Sequence, residues 1–356
     1  MKIAVPKEVK KNESRVGLNP VSAAALVDAG HELMIESKAG SRAGFNDVFY
    51  DKSGCIICED RKVLHDWADM IIKVKEPQKD EVALYHENQI IFTYLHLAAD
   101  DDLLQGLLDK RVHALAYETL QLDNGSLPCL KPMSQIAGRL AIQEGAKYLE
   151  KPSGGRGVLL SGVPGVRTGK VLILGAGIVG LSALKIAVGM GAAVTIMDIN
   201  EAPLGRIDEI HEGRVQTLFA TRANIEQELP SVDLVVGAVL IPGSKAPKLI
   251  SRDMLKLVKM GAVIVDVAVD QGGCVETSRP TTHDDPVYEI DGVLHYCVSN
   301  MPGAVPLTAT QALCAQTLPY IKMIADLGLE KALESNTALQ RAVNLSRGQI
   351  IHPALM

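Results

Sequence analysis

Residues 169–200, GKVLILGAGIVGLSALKIAVGMGAAVTIMDIN, decide the fold. The short apolar run at 171–174, bounded by glycine, reads as a strand buried on both faces of a parallel sheet. Gly175, Gly177 and Gly180 follow in G-x-G-x-x-G spacing. The first permits a tight turn, the second lets the backbone approach a pyrophosphate, and the third lets the helix pack on the strand. Residues 178–190 then read as a helix whose N-terminal N–H groups, Ile178 and Val179 among them, face a dianion. A second strand at 193–197 ends at Asp198, about 20 residues beyond the glycines, where a carboxylate can accept both ribose hydroxyls. The triplet alone says little. In register with strand, helix, strand and acid, it predicts NAD(H) binding. A membrane span does not fit residues 171–197, because Lys185 and five glycines interrupt them. The other reading is a glycine-rich βαβ unit without a ligand.

The 356 residues leave room for two domains, and a chain that is 47% hydrophobic can fill two cores. Its 36 basic and 42 acidic residues are well mixed, so no basic stripe points to nucleic acid or to an acidic membrane surface. The opening MKIAVPKE is strand-like and has no signal-peptide h-region. Six cysteines are scattered, and Cys55 and Cys58 form the one C-x-x-C pair. With no second pair or histidine cluster beside it, that pair fits alternate residues of a strand better than zinc or redox chemistry. A cytoplasmic protein without a metal is expected.

Around the organising stretch, apolar strand-like runs alternate with helical patterns, which argues for α/β architecture with parallel sheets. In the first part, strands are predicted at 3–5, 32–36, 55–58, 70–74, 89–94 and 112–117, with helices at 20–29 and 100–108. The turn Asp123-Asn124-Gly125 suggests a hairpin before a long helix opened by Pro132. Later strands are predicted at 214–219, 234–236, 262–265 and 294–297, then a helix from Pro306 to about 327 and a polar helical stretch at 330–344. The expected fold is two doubly wound Rossmann-like domains with parallel sheets and a cleft between them. Residues 129–306 would bind the dinucleotide, and 1–128 plus 307–356 would form the substrate domain.

Ligands of open parallel sheets lie beyond the carboxyl ends of the strands. That rule selects Arg15, Lys75 and His96 in the first part, and Asp266 and Asp270 in the second. Hydride transfer at a carbon bearing nitrogen or oxygen needs a proton carrier, which His96 suits near neutral pH. A 2-oxo or 2-amino acid needs its carboxylate held, for which Arg15 offers a fork and Lys75 a point charge. Asp270 could accept a proton or orient ammonia. The same residues have plainer readings. Arg15 sits among Lys10, Lys11 and Glu13 and could be a solvated charge. His96 could be a structural hydrogen-bonder, as His31, His65, His86 and His113 are read, and Asp266 could cap its own loop.

The segments PKEVKKNESRVGLNP, IIKVKEP, FTYLHLA, KPMSQIAGRLAIQEGA, GAGIVG, GAVLIPGSKAPKLI, VDVAVDQGGCVETSRPTTHDDPVY and HYCVSNMPGAVPLT run in order through nearly the whole chain. On them the sequence resembles the alanine dehydrogenases, a family related to the first domain of proton-translocating transhydrogenase. The resemblance implies Arg15 and Lys75 as ligands of pyruvate or alanine, and His96 and Asp270 as the catalytic pair. For NAD it implies Ser134, Gly175, Gly177, Ile178, Val179, Gly180, Asp198, Val239, Leu240, Val267, Arg279, Ser299, Asn300 and Met301. The implied reaction converts L-alanine, NAD and water to pyruvate, ammonium and NADH in a homohexamer. The chain departs from the family's pattern at Pro203, where a basic residue is common, and at Ala220, where serine is. Two alternatives are a transhydrogenase NAD(H)-binding subunit, expected to carry Asn in place of Asp270, and a non-catalytic NAD-sensing module.

Overall fold

Residues 1–239 and 246–356 are described by the computed structural model. They divide into two compact units, Met1–Met133 with Gly303–Met356, and Ser134–Pro302.

In the first unit an eight-stranded sheet runs in the order Gln349–Ile350, Val343–Ser346, His113–Ala116, Ile90–Thr93, Met70–Ile72, Lys2–Val5, Glu32–Glu36 and Ile56–Cys58. The six strands from the N-terminal part pair parallel, each with its neighbour. Ile3, Ile71, Ile91 and Ala114 are fully buried, as strands covered on both faces require. Burying each large aliphatic side chain contributes roughly 1.5–3 kcal/mol, which is what holds such short strands in line. Helix Pro20–Asp28 starts as its sequence dictates. Asn19 Oδ1 accepts the Ser22 N–H at 2.8 Å, and proline occupies the first turn.

Three expectations need correction in this unit. Residues 330–344 are not one polar helix: Leu329–Ser335 and Thr337–Ala342 are separate helices, and the chain then enters Val343–Ser346. That strand adds antiparallel to His113–Ala116 and turns back into Gln349–Ile350, so the sheet is mixed rather than purely parallel. The Asp123-Asn124-Gly125 segment is a tight turn in which Leu122 donates to Ser126, with no strands flanking it.

The second unit carries a seven-stranded sheet in the order Val287–Ile290, Val293–Tyr296, Val263–Asp266, Leu234–Gly237, Lys170–Leu174, Ala193–Asp198 and Val215–Phe219. Six strands are parallel, and Val287–Ile290 adds an antiparallel edge that the sequence pattern did not signal. The chain reverses its direction of travel across the sheet between Lys170–Leu174 and Leu234–Gly237, the switch point at which α/β sheets take ligands. A core of Leu172, Leu174, Val235, Ile264, Leu255 and Ile250 fills one face. No helix among the described residues is long and apolar enough to cross a membrane.

Candidate active site

In the first unit, the candidate side chains lie beyond the ends of four neighbouring parallel strands. Arg15 lies in the segment after Lys2–Val5, Lys75 after Met70–Ile72, His96 after Ile90–Thr93, and Glu118 after His113–Ala116.

Arg15 is not a solvated charge. It is 2% exposed, and its Nε and Nη2 donate to the two carboxylate oxygens of Glu13 at 2.8 and 2.6 Å. Its Nη1 donates to Met133 Sδ at 3.1 Å. Burial alone would raise the Glu13 carboxyl, but the hydrogen bonds and charge of Arg15 override it and hold the group down at about 2. Burial pushes the Lys75 ammonium below its ordinary range, and the nearby Arg15 charge adds to the effect. Glu13 and Glu76 act the other way on Lys75, so this is a crowded cluster of both signs.

His96 has left-handed backbone, φ 51° and ψ 33°, an uncommon state for a residue with a Cβ. Glu118 holds it there: its carboxylate accepts the N–H of Leu95 at 3.0 Å and of His96 at 2.6 Å. The imidazole is half exposed, with Nδ1 3.8 Å from Glu76 Oε2. Glu76 in turn pairs with Lys10. The left-handed backbone of His96 costs about 1–3 kcal/mol, which the two hydrogen bonds to the Glu118 carboxylate offset. The plainer histidine reading holds for His31, which pairs with Asp326, for His86, whose Nδ1 lies 3.2 Å from the Glu87 carbonyl, and for His113, which meets Ser346 Oγ at 2.9 Å, but not for His65, whose two ring nitrogens are buried without a hydrogen-bond partner.

In the second unit, Gly175, Asp198, Val239, Val267, Asp270, Ser299, Asn300 and Met301 all lie at or just beyond the carboxyl ends of adjacent parallel strands. The three glycines differ in their surroundings. A Cβ on Gly175, whose φ is 104°, would fall 2.7 Å from the Ala238 carbonyl oxygen, and one on Gly180 would fall 1.8 Å from that of Gly175. At Gly177 a Cβ would meet nothing within 4 Å. Open space above the second glycine, at the start of helix Ile178–Gly189 where no side chain caps the backbone, is the cradle a pyrophosphate needs. Asp198 ties this turn down as well, since Oδ2 accepts the Ala176 N–H at 2.7 Å and Oδ1 that of Asn200 at 2.9 Å.

Arg279 stacks its guanidinium 4.1 Å from the Tyr288 ring centroid. Asn300 has φ 62°, its carbonyl lies 3.1 Å from His283 Nε2, and Met301 beside it is buried. Ser134 lies in helix Leu130–Tyr148. Leu240 lies outside the described residues. Asp266, the last residue of its strand, does cap its own loop, and Asp270 sits in the following turn Val267–Gln271.

Sequence reasoning missed Glu13, Glu118 and Glu76. Glu13 stands two residues from Arg15, and in an extended segment that spacing puts both on one side of the chain.

Two family models match this chain in succession: the alanine dehydrogenase/PNT N-terminal domain over residues 4–137 and the alanine dehydrogenase/PNT C-terminal domain over residues 141–353. The chain belongs to the alanine dehydrogenase/PNT family. An alanine dehydrogenase of Methanococcus maripaludis is 52% identical over 356 residues, covering 100% of this chain and 95% of the relative. One from Halomonas elongata is 49% identical over 355 residues, with 100% and 96% covered. Among solved structures, an L-alanine dehydrogenase superposes with a TM-score of 0.98 at 51% identity, covering 100% of this chain and 98% of that one. A transhydrogenase of Sinorhizobium meliloti reaches 0.85 at 23% identity over 99% and 100%, a likeness of fold.

Proposed function

We propose that this protein is an NAD-dependent L-alanine dehydrogenase, interconverting L-alanine, NAD⁺ and water with pyruvate, ammonium, NADH and a proton. The observation that carries the reading is the buried Arg15 with the part-buried Lys75 near it, in a chain about half identical along its length to alanine dehydrogenases.

Arg15 and Lys75 hold the substrate carboxylate. Glu13, bonded along the Nε–Nη2 edge, would keep the guanidinium in its plane for that contact. Bound, the nicotinamide supplies the hydride acceptor. His96, whose Nδ1 lies 3.8 Å from Glu76 Oε2, would move the substrate proton at Nε2. Asp270 takes the protons shed as water adds to the substrate imine carbon and ammonia leaves. Ser134, the Gly175–Gly180 turn, Asp198, Val239, Leu240, Val267, Arg279, Ser299, Asn300 and Met301 would hold the cofactor. Asp198 favours NAD over NADP, because a carboxylate in the ribose position repels a 2′-phosphate. The reading includes a homohexamer, and apolar side chains left exposed on helices Ile178–Gly189 and Glu201–His211, Leu181 and Ile210 among them, are surface an assembly would cover. It also includes the cytoplasm, which suits six separate thiols.

The test is NAD reduction at 340 nm with L-alanine, in wild type and Asp270→Asn. The wild type should turn over NAD and fail with NADP. The variant should bind NADH normally and lose at least about 10² in rate, the low end for an acid/base group. A wild type that binds NADH yet is inert toward alanine would favour hydride transfer to another nucleotide, or a sensing role.

A further inference from the structure

The turn that carries Asp270 is gripped from both sides. Asp266, 1% exposed, closes it from within. Its Oδ1 accepts the Ala268 N–H at 3.1 Å and lies 3.6 Å from Cys274 Sγ. Its Oδ2 accepts the N–H groups of Cys274 at 2.9 Å and Val275 at 3.1 Å, and the Ser278 hydroxyl at 2.6 Å. One carboxylate thus joins the start of segment 267–275 to its end. The space around it is cut to size. A Cβ on Gly273 would fall 2.7 Å from Oδ2, and one on Gly237, at the end of the neighbouring strand, 2.9 Å from Oδ1.

From the other side, Lys248 Nζ donates to the carbonyl oxygens of Gly272, Gly273 and Val275, the latter two at 2.9 and 3.2 Å. The anion takes the amide hydrogens and the cation serves the carbonyls, and Asp270 lies on the arc between them. Burying a full charge is costly unless it is well satisfied, and a neutral Asn or Ser would suffice to cap a turn. A carboxylate and an ammonium spent on one short segment are explained if the segment must not move.

We propose that Asp266 and Lys248 are positioning residues for Asp270, fixing its carboxylate without touching substrate. This rests on the reading of Asp270 as the proton-carrying group. Misplacing a reacting group by about 1 Å can cost about 10² in rate, so a loosened turn should be visible in kcat.

Lys248→Met keeps the apolar stem and removes the three donors. Because Lys248 is exposed, the variant should fold as wild type. Three readouts decide: kcat and KM for alanine oxidation, NADH affinity by fluorescence titration, and amide hydrogen exchange of a peptide spanning 267–275 in the enzyme without cofactor. Lys248→Met should lower kcat about tenfold, with KM and NADH affinity within about twofold, and should speed exchange in that peptide alone. Asp266→Asn turns an NH₂ toward backbone N–H donors whichever way it is flipped, and should lower kcat further and weaken NADH binding through Val267. The decisive step is the cycle with Asp270→Asn. If Lys248 acts through Asp270, adding Lys248→Met to the Asp270→Asn variant should change the residual rate by less than about twofold. An equal proportional loss in both backgrounds, or an unchanged kcat in Lys248→Met alone, overturns the positioning role while leaving Asp270 in the mechanism. Full activity in Asp270→Asn removes Asp270 itself, and the positioning role with it. Should Asp266→Asn not fold, the Lys248 arm still decides.

Discussion

Glu13→Gln is the substitution on which the substrate clamp can be tested most sharply. It keeps the shape of a side chain that is fully buried, removes the charge facing Arg15 and turns an NH₂ toward one of the Arg15 donors. The carboxyl is held at about 2 against an ordinary 4.5. That difference of about 2.5 pH units, at about 1.4 kcal/mol each, is worth about 3–4 kcal/mol of folding free energy. The same figure follows from the other side, because breaking a buried pair and leaving one charge behind costs about 3–5 kcal/mol. Since the folded pKa is depressed, the contribution is complete above pH 4.5 and disappears as pH falls through about 2. Urea titrations followed by the fluorescence of Trp67, the one tryptophan and part of the same unit, should therefore show the variant about 3–4 kcal/mol less stable at pH 7. The gap should close as the titrations are repeated toward acid. In the kinetics, a guanidinium no longer held in its plane should raise KM for pyruvate about tenfold, a loss near 1.4 kcal/mol, with NADH affinity unaltered. A variant as stable as wild type, with unchanged pyruvate kinetics, would refute both the buried pair and its role in the clamp.

Gly177→Ala and Gly180→Ala should separate ligand space from packing space. The first should leave the melting temperature unchanged and weaken NADH at least about tenfold, whereas the second should fail to fold or melt far lower, because its Cβ lands on the Gly175 carbonyl. His96→Ala should lose about 10²- to 10⁴-fold in kcat with NADH binding intact; if NADH binding goes with it, the histidine is structural. His65 is buried without a hydrogen-bond partner, and desolvation, with the charges of Lys73 and Arg61, lowers its pKa from 6.5 to about 4. The neutral ring is the folded form, so its contribution is present above pH 6.5 and lost as pH falls through 4, up to about 3 kcal/mol. His65→Phe should flatten stability between pH 6.5 and 4, and an unchanged profile would show that the ring reaches water.

The second unit's layout was legible because its signals are local. Apolar runs bounded by glycine, the spacing of Gly175, Gly177 and Gly180, and an acid one strand later each depend on residues close in the chain, and backbone geometry turns that order directly into strand, turn and helix. The carboxyl-end rule likewise pointed to Arg15, Lys75, His96 and Asp270 without any coordinates. Tertiary structure alone decided what surrounds them. Glu118 reaches back to the His96 amide across 22 residues, Lys248 to the Gly273 carbonyl across 25, and Val343–Ser346 closes on His113–Ala116 from the far end of the chain. No periodicity encodes such pairings. A polar strand such as Val343–Ser346 resembles a helix end until an edge is there to receive it, and a charge such as Arg15 reads as solvated until a fold removes its water. Composition tells which residues can carry a charge, but only the folded chain decides which charges lose their solvent and must find each other.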